Sequence, residues 1–150
     1  MEITMKYVIG VDFGTLSARA VVVESESGKA VGENTSNYIH AVLDRALPSG
    51  KALKLGTALQ VPSDYLTAMS ESVKGALEAG KVNPCDVIGL GIDFTASTVL
   101  PIFEDGTPLC ESDKFKSEPH AYVKLWKHRT ATEEAEEITE LSKKMGERFI

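Results

Sequence analysis

The run VIGVDFGTLSARAVVVES, Val8 to Ser25, constrains the chain most, because two short apolar segments flank the polar insert Asp12-Phe13-Gly14-Thr15-Leu16-Ser17. Tyr7 to Val11 and Ala18 to Glu24 have strand lengths and the Val, Ile and Ala content of strands, so they predict a hairpin. The near-continuous apolar character of the second segment predicts burial on both faces. Such a hairpin needs more strands and a covering helix. At 150 residues, 43% hydrophobic and 25% charged, the chain has the size and composition to supply them in one domain.

Ser25 to Lys29 is a turn signal, and Ala30 to Ile39 predicts a third, more polar strand at the sheet edge, completing an antiparallel meander. His40 to Gln60 shows no period and is read as a long loop of the kind that carries binding functions. Pro62 suits a first helical turn, and Tyr65, Leu66, Met69, Val73, Ala76 and Leu77 recur at helical spacing until Gly80. Val87 to Asp93 predicts a buried strand that pairs parallel with the first. Thr98 to Phe103 predicts another strand, with Glu104-Asp105-Gly106 as its turn. Pro119 to Lys127 reads as a short helix. Thr130 followed by Glu133 is a capping-box signature for a last helix with Ala135, Ile138, Leu141 and Met145 on one face, glutamates leading and lysines trailing.

Several function classes drop out. A net charge of −6 with dispersed basic residues argues against a nucleic-acid partner. The apolar run before Asp12 is too short for a signal core or a bilayer span, which predicts a cytoplasmic protein with no membrane partner. Cys85 and Cys110 form no paired motif and read as reduced, buried thiols, and no Cys and His spacing suggests zinc. His120 and His128 read as surface or helix-end residues, and Glu133 to Glu140 as a solvated helix face.

The chemistry concentrates in the first turn. Gly14 supplies a conformation that other residues resist and lets backbone N–H groups approach an anion, while Thr15 and Ser17 add hydroxyls and Arg19 a positive charge. Asp12 would repel a phosphate by itself, so its presence there makes sense with a Mg²⁺ between them. The plainer alternative is a polar hairpin in which Asp12 caps the turn and Gly14 closes it. The pattern is neither a GxxxxGK[ST] nor a GxGxxG loop.

GVDFGTLSARAVVVE resembles the first phosphate motif, D-x-G-T-x-S-x-R/K, of the FGGY-type sugar kinases, relatives of glycerol kinase and xylulokinase in the actin-like ATPase superfamily. GLGIDFTASTVLPIFEDGTPLC and PHAYVKLWKHRTATEEAEEI are similar to the ribulokinase branch of that family. The resemblance implies an α/β, ribonuclease-H-like lobe with a mixed sheet, ATP and Mg²⁺ as cofactors, and nucleotide contacts at Asp12, Gly14, Thr15, Ser17 and Arg19. Asp12 is the implied metal ligand.

On the sugar side, the resemblance makes Phe94, Thr95, Ala96 and Ser97 candidate substrate contacts, the small Ala96 departing from the polar residue of glycerol and xylulose kinases. The alternative has Phe94 as core and Thr95 to Ser97 as a plain turn. Where relatives carry Trp, an acidic residue and Arg, this chain reads Trp126-Lys127-His128-Arg129. The carboxylate is absent, Trp126 still offers an apolar face to a sugar, and its alternative is core packing with Tyr122.

No Asp or Glu here fits the family's general base, which the resemblance places beyond residue 150. The expectation is therefore the N-terminal part of the first lobe of a longer kinase, its second lobe absent and the isolated piece inactive. The full enzyme would phosphorylate ribulose, L-ribulose to L-ribulose 5-phosphate, in arabinose catabolism, with a ketopentose and the rest of the kinase as partners and a homodimer left open. The alternatives are another FGGY kinase, for xylulose or glycerol, or a non-catalytic actin-like module that binds nucleotide or sugar.

Overall fold

The computed structural model describes residues 5–146. The meander forms as expected: β1 (Tyr7–Phe13), β2 (Ser17–Glu24) and β3 (Ala30–Asn37) pair antiparallel in sequence order. A two-residue strand β4 (Leu59–Gln60) and helix α1 (Pro62–Gly80) follow, and β5 (Val87–Phe94) then returns parallel to β1. The sheet order is β3-β2-β1-β5, with β3 at one edge and β5 at the other.

Strand alternation puts Ile9, Val11 and Phe13 of β1 with Ala18, Ala20 and Val22 of β2 on one face, all buried under α1. The opposite face of the sheet is open. Burial of β2 on both faces is therefore corrected: Arg19 is exposed, and Val21 and Val23 are only half-buried. The expectation of a buried β5 fails as well. Ile88, Leu90, Ile92 and Phe94 are each about half exposed or more, because α1 packs over β1 to β3 and reaches β5 only at its flank.

In α1 the residues pressed deepest into the sheet are small, Ala68, Ser72 and Ala76, while Tyr65, Met69, Val73 and Leu77 pack beside them and Leu66 points away. Close approach explains the choice. A Cβ on Gly32 of β3 would collide with the backbone of Ala76 and Gly80. Gly80 is thus a close-contact residue, and Lys81 takes the left-handed cap position (φ 53°) that glycine usually fills.

The segment from His40 to Gln60 is more structured than a loop. Leu43 bridges Leu59, Ala46 bridges Ala52, and Leu43, Leu47 and Leu59 form a second core with Cys110, Ala121 and Tyr122. Burial pushes the Cys110 thiol up to about 11, so it stays protonated; Cys85 is exposed, contrary to expectation.

Three other expectations are corrected. Thr98 to Phe103 makes only the single bridges Val99–Lys124 and Ile102–Pro108, since Pro101 and Pro108 lack the N–H donors a ladder needs. Its turn does form, closed by Gly106 at φ 87° and by Thr107 N–H donating to Asp105. Pro119–Ala121 is one 3₁₀ turn leading into β6 (Val123–Lys124), which pairs with β4. A short apolar run cannot distinguish helix from strand, and burial of Ala121, Tyr122, Val123 and Leu125 favours the extended form.

Finally, α2 (Thr132–Met145) has the expected glutamates and lysines at its ends but no capping box. Ala131 is its N-cap, because the Thr130 hydroxyl is engaged by His128 Nε2 at 2.8 Å. Its Ala135, Ile138, Leu141 and Met145 are all exposed.

Candidate nucleotide and sugar site

Because β1 and β5 run parallel, the two segments that carried the chemistry in the sequence leave the sheet at the same end. Phe13 and Phe94 are register partners, and their rings stack with centroids 4.3 Å apart and planes 3° from parallel. Tyr65 of α1 meets both rings edge-on. Phe94 thus lies against the rings of Phe13 and Tyr65 with about half of its surface exposed, so it is not a core residue. Thr95 donates its N–H and its hydroxyl to the Phe13 carbonyl.

The turn between β1 and β2 closes by the Gly14 N–H donating to the Ser17 carbonyl at 2.9 Å. Gly14 does not need a conformation barred to other residues: its φ is not positive, and a Cβ there would only reach van der Waals distance of the Ser17 oxygen, 3.5 Å. Ser97, by contrast, sits at φ 56°, a region uncommon for a side chain of this kind. Ala96 and Ser97 are exposed beside it.

Trp126 reaches the same neighbourhood by a different route. Val99 and Lys124 exchange both backbone hydrogen bonds, at 3.2 and 2.9 Å. In that antiparallel bridge Ser97 and Trp126 each lie two residues away on the same side. Trp126 is 58% exposed, so it is not core, although its neighbour Tyr122 is. His128 is half-buried; its Nδ1 accepts the Ala58 N–H at 3.1 Å.

On the open face, alternation and register put Thr35, Arg19, Asp12 and Asp93 in one row across the sheet. An open groove of about 530 Å³ is floored there by Gly10, Gly91 and Val21, with Asp12, Asp93 and Arg19 around it. The Arg19 guanidinium is not free in this arrangement, since it lies 2.5 Å from Glu33 on the edge strand. Glu33, and more weakly Asp12, raise its pKa. The Asp12 carboxylate is exposed; the described residues contain no group of three ligating side chains. That donor set fits a cation that keeps several waters and takes one or two carboxylates, the preference of Mg²⁺, and Asp93 stands in register beside Asp12.

Sequence reasoning missed the shell behind the turn. The Tyr38 hydroxyl donates to the Gly14 carbonyl (3.0 Å), the Gln60 amide to the Thr15 carbonyl (2.8 Å), and the Tyr65 hydroxyl to Gln60 Oε1 (2.5 Å). Burial holds both tyrosines well above the usual phenol range, Tyr65 at about 12, so both remain donors at any working pH. These partners are 24 and 45 residues from the turn, and no local pattern announces them.

No family model matches the chain. Curated relatives do: it is 48% identical over 146 residues to the ribulokinase of Anoxybacillus flavithermus, 44% over 149 to that of Halalkalibacterium halodurans and 45% over 147 to that of Mycolicibacterium smegmatis. Those alignments take in 97 to 98% of the chain and 26% of each relative, so the chain spans about a quarter of their length. Among solved structures it resembles the gluconate kinase of Lactobacillus acidophilus (TM-score 0.70, 17% identity, 93% of this chain and 23% of that one). The ligand-bound xylulose kinase of the same organism is similar (TM-score 0.69, 17% identity, 92% and 23%), as is the glycerol kinase of Plasmodium falciparum with ADP (TM-score 0.61, 18%, 89% and 23%). The fold they share is that of the actin-like ATPases. With its meander, covering helix and parallel β5, the chain has the fold of these sugar kinases, and over nearly its whole length it is similar to the N-terminal part of the ribulokinases.

Proposed function

We propose that this chain is the N-terminal part of the first lobe of an ATP-dependent cytoplasmic kinase that converts L-ribulose to L-ribulose 5-phosphate in arabinose catabolism. The observation that carries it is the joining of the two segments, Asp12 to Arg19 and Phe94 to Ser97, at neighbouring ends of β1 and β5, linked by Thr95 and the Phe13 carbonyl. The likeness to ribulokinases over nearly the whole chain supports the choice of sugar.

Phosphoryl transfer depends mainly on positioning and on fields that stabilise charge on the moving group. The Thr15 and Leu16 N–H groups, with the Thr15 and Ser17 hydroxyls, would hold the terminal phosphates, and Gly14 keeps that side of the turn low. Asp12, with Asp93 at its side, would hold Mg²⁺, which when bound offsets phosphate charge. Arg19 supplies a second positive charge once Glu33 releases it. Thr95, Ala96 and Ser97 would border the sugar, with Trp126 against its C–H face. The general base belongs to a segment outside this chain, and so does the second lobe.

The test is a kinase assay of the full-length protein with MgATP over ribulose, xylulose and glycerol. Preference for ribulose is expected. Preference for xylulose or glycerol would overturn the substrate, and no MgATP-dependent turnover on any of them would overturn the activity.

A further inference from the structure

Four consecutive carbonyls around the β1–β2 turn are drawn toward the body of the fold. Phe13 O accepts from Thr95, Gly14 O from the Tyr38 hydroxyl, Thr15 O from the Gln60 amide and Leu16 O from the Tyr38 N–H. In a trans peptide the carbonyl and the next N–H point in opposite directions. Holding the carbonyls of Gly14 and Thr15 inward therefore turns the N–H groups of Thr15 and Leu16 outward. Among the described residues no acceptor takes either of those two N–H groups.

The groups that impose this arrangement are fixed more firmly than a loop normally is. Gln60 is 1% exposed and Tyr38 4%. Gln60 is oriented by Tyr65, whose hydroxyl occupies its carbonyl oxygen and leaves the amide NH₂ facing Thr15. Tyr38 and Tyr65 pack edge to face at 5.2 Å, and Tyr65 also abuts Phe13, so the donors share one aromatic cluster beneath the turn. A buried glutamine that faces no solvent is costly to keep unless both ends of its amide are satisfied, and here both are.

We propose that Gln60 and Tyr38, with Tyr65 behind Gln60, are positioning residues that hold the Thr15 and Leu16 N–H groups toward an anionic polyphosphate. Turn donors fixed in this way need no reordering when the phosphate arrives, whereas a turn free to flip its peptides must be ordered as the anion binds, which costs affinity. The proposal rests on the phosphate reading of the turn given above and assigns that function's geometry to side chains outside the motif.

The full-length protein and its Tyr38→Phe, Gln60→Met and Tyr65→Phe variants would be titrated calorimetrically with MgATP, MgADP, adenosine and ribulose. Tyr38→Phe and Gln60→Met should each weaken both nucleoside polyphosphates about tenfold, and Tyr65→Phe about threefold, with adenosine and ribulose within twofold of the parent. Folded Tyr38→Phe and Gln60→Met proteins that keep parental MgATP affinity would overturn the proposal. Equal losses for ribulose and nucleotide would overturn it too, by showing a general loosening. If Gln60→Met fails to fold, Tyr38→Phe, which keeps its ring packing and its N–H to Leu16, decides. A parent protein that binds ribulose but no MgATP would instead refute the phosphate reading itself.

Discussion

Thr95, just past β5, donates its backbone N–H at 3.1 Å and its hydroxyl at 2.9 Å to the one carbonyl oxygen of Phe13, the last residue of β1. Residues 82 apart in sequence thus fix the two segments of the site against each other. The parallel pairing of β1 and β5 stops at this clasp, and the chain beyond it leaves the sheet.

Thr95→Val keeps the shape of the side chain and removes the hydroxyl donor, leaving the N–H in place. A half-buried hydrogen bond of this kind contributes about 1 kcal/mol, so the variant should lose about that much unfolding free energy and unfold at a lower urea concentration, while Thr95→Ser stays near the parent. Equal midpoints for Thr95→Val and the parent would show that the hydroxyl contributes nothing.

Asp12→Asn tests the site without disturbing the fold, because the Asp12 carboxylate is exposed and makes no hydrogen bond among the described residues. In the full-length protein it should lower kcat at least about a hundredfold while thermal stability and ribulose affinity remain those of the parent. Turnover measured alongside sugar calorimetry checks this. Loss of sugar binding together with turnover would place Asp12 on the substrate instead.

Two glycines should respond oppositely to alanine. At Gly32 the new Cβ meets the backbone of Ala76 and Gly80, which cannot move without shifting α1, and a loss of about 2 kcal/mol is expected. At Gly91, on the floor of the open groove, a Cβ meets nothing within 4 Å, so Gly91→Ala should fold at least as well as the parent. Denaturant titrations of the pair would reveal whether α1 is as tightly seated as the geometry states.

Burial, reinforced by Lys124 and His120, lowers the pKa of His128 below its ordinary value of 6.5. Its Nδ1 accepts the Ala58 N–H, which requires the neutral ring. The unfolded chain therefore takes up this proton at higher pH than the folded one. The contribution is full above about 6.5 and is lost as pH falls through the folded pKa. Stability measured from pH 8 to 5 should decline over the acid part of that range, and His128→Asn, which keeps an acceptor near Nδ1, should decline less. Identical slopes would assign the decline to other groups.

How far the sequence could be read depended on whether the information was local. The meander, α1 with its Pro62 start, and the parallel return of β5 were legible from period and punctuation, as was the charge order of α2. What misled was burial and short extended structure: β5 reads as a buried strand, yet α1 leaves it open, and Pro119 to Lys127 reads as a short helix, yet its Val123–Lys124 pairs with β4. The turn motif was legible as residue types at a fixed spacing. Its supporting shell was not, since Tyr38, Gln60 and Tyr65 carry no shared pattern and meet the turn only through the fold.

By itself the sequence determined which residues could form strands and helices, and it placed a carboxylate, a glycine and hydroxyls in one turn, because periodicity and turn chemistry act over a few residues. Only the tertiary structure decided that the turn and Phe94 to Ser97 face the same end of the sheet, that Arg19 is held by Glu33, and that buried amide and phenol groups fix the turn from behind. Those relationships depend on strand register and on hydrogen bonds across 14 to 82 residues, and such distances are set by the packing of the whole domain.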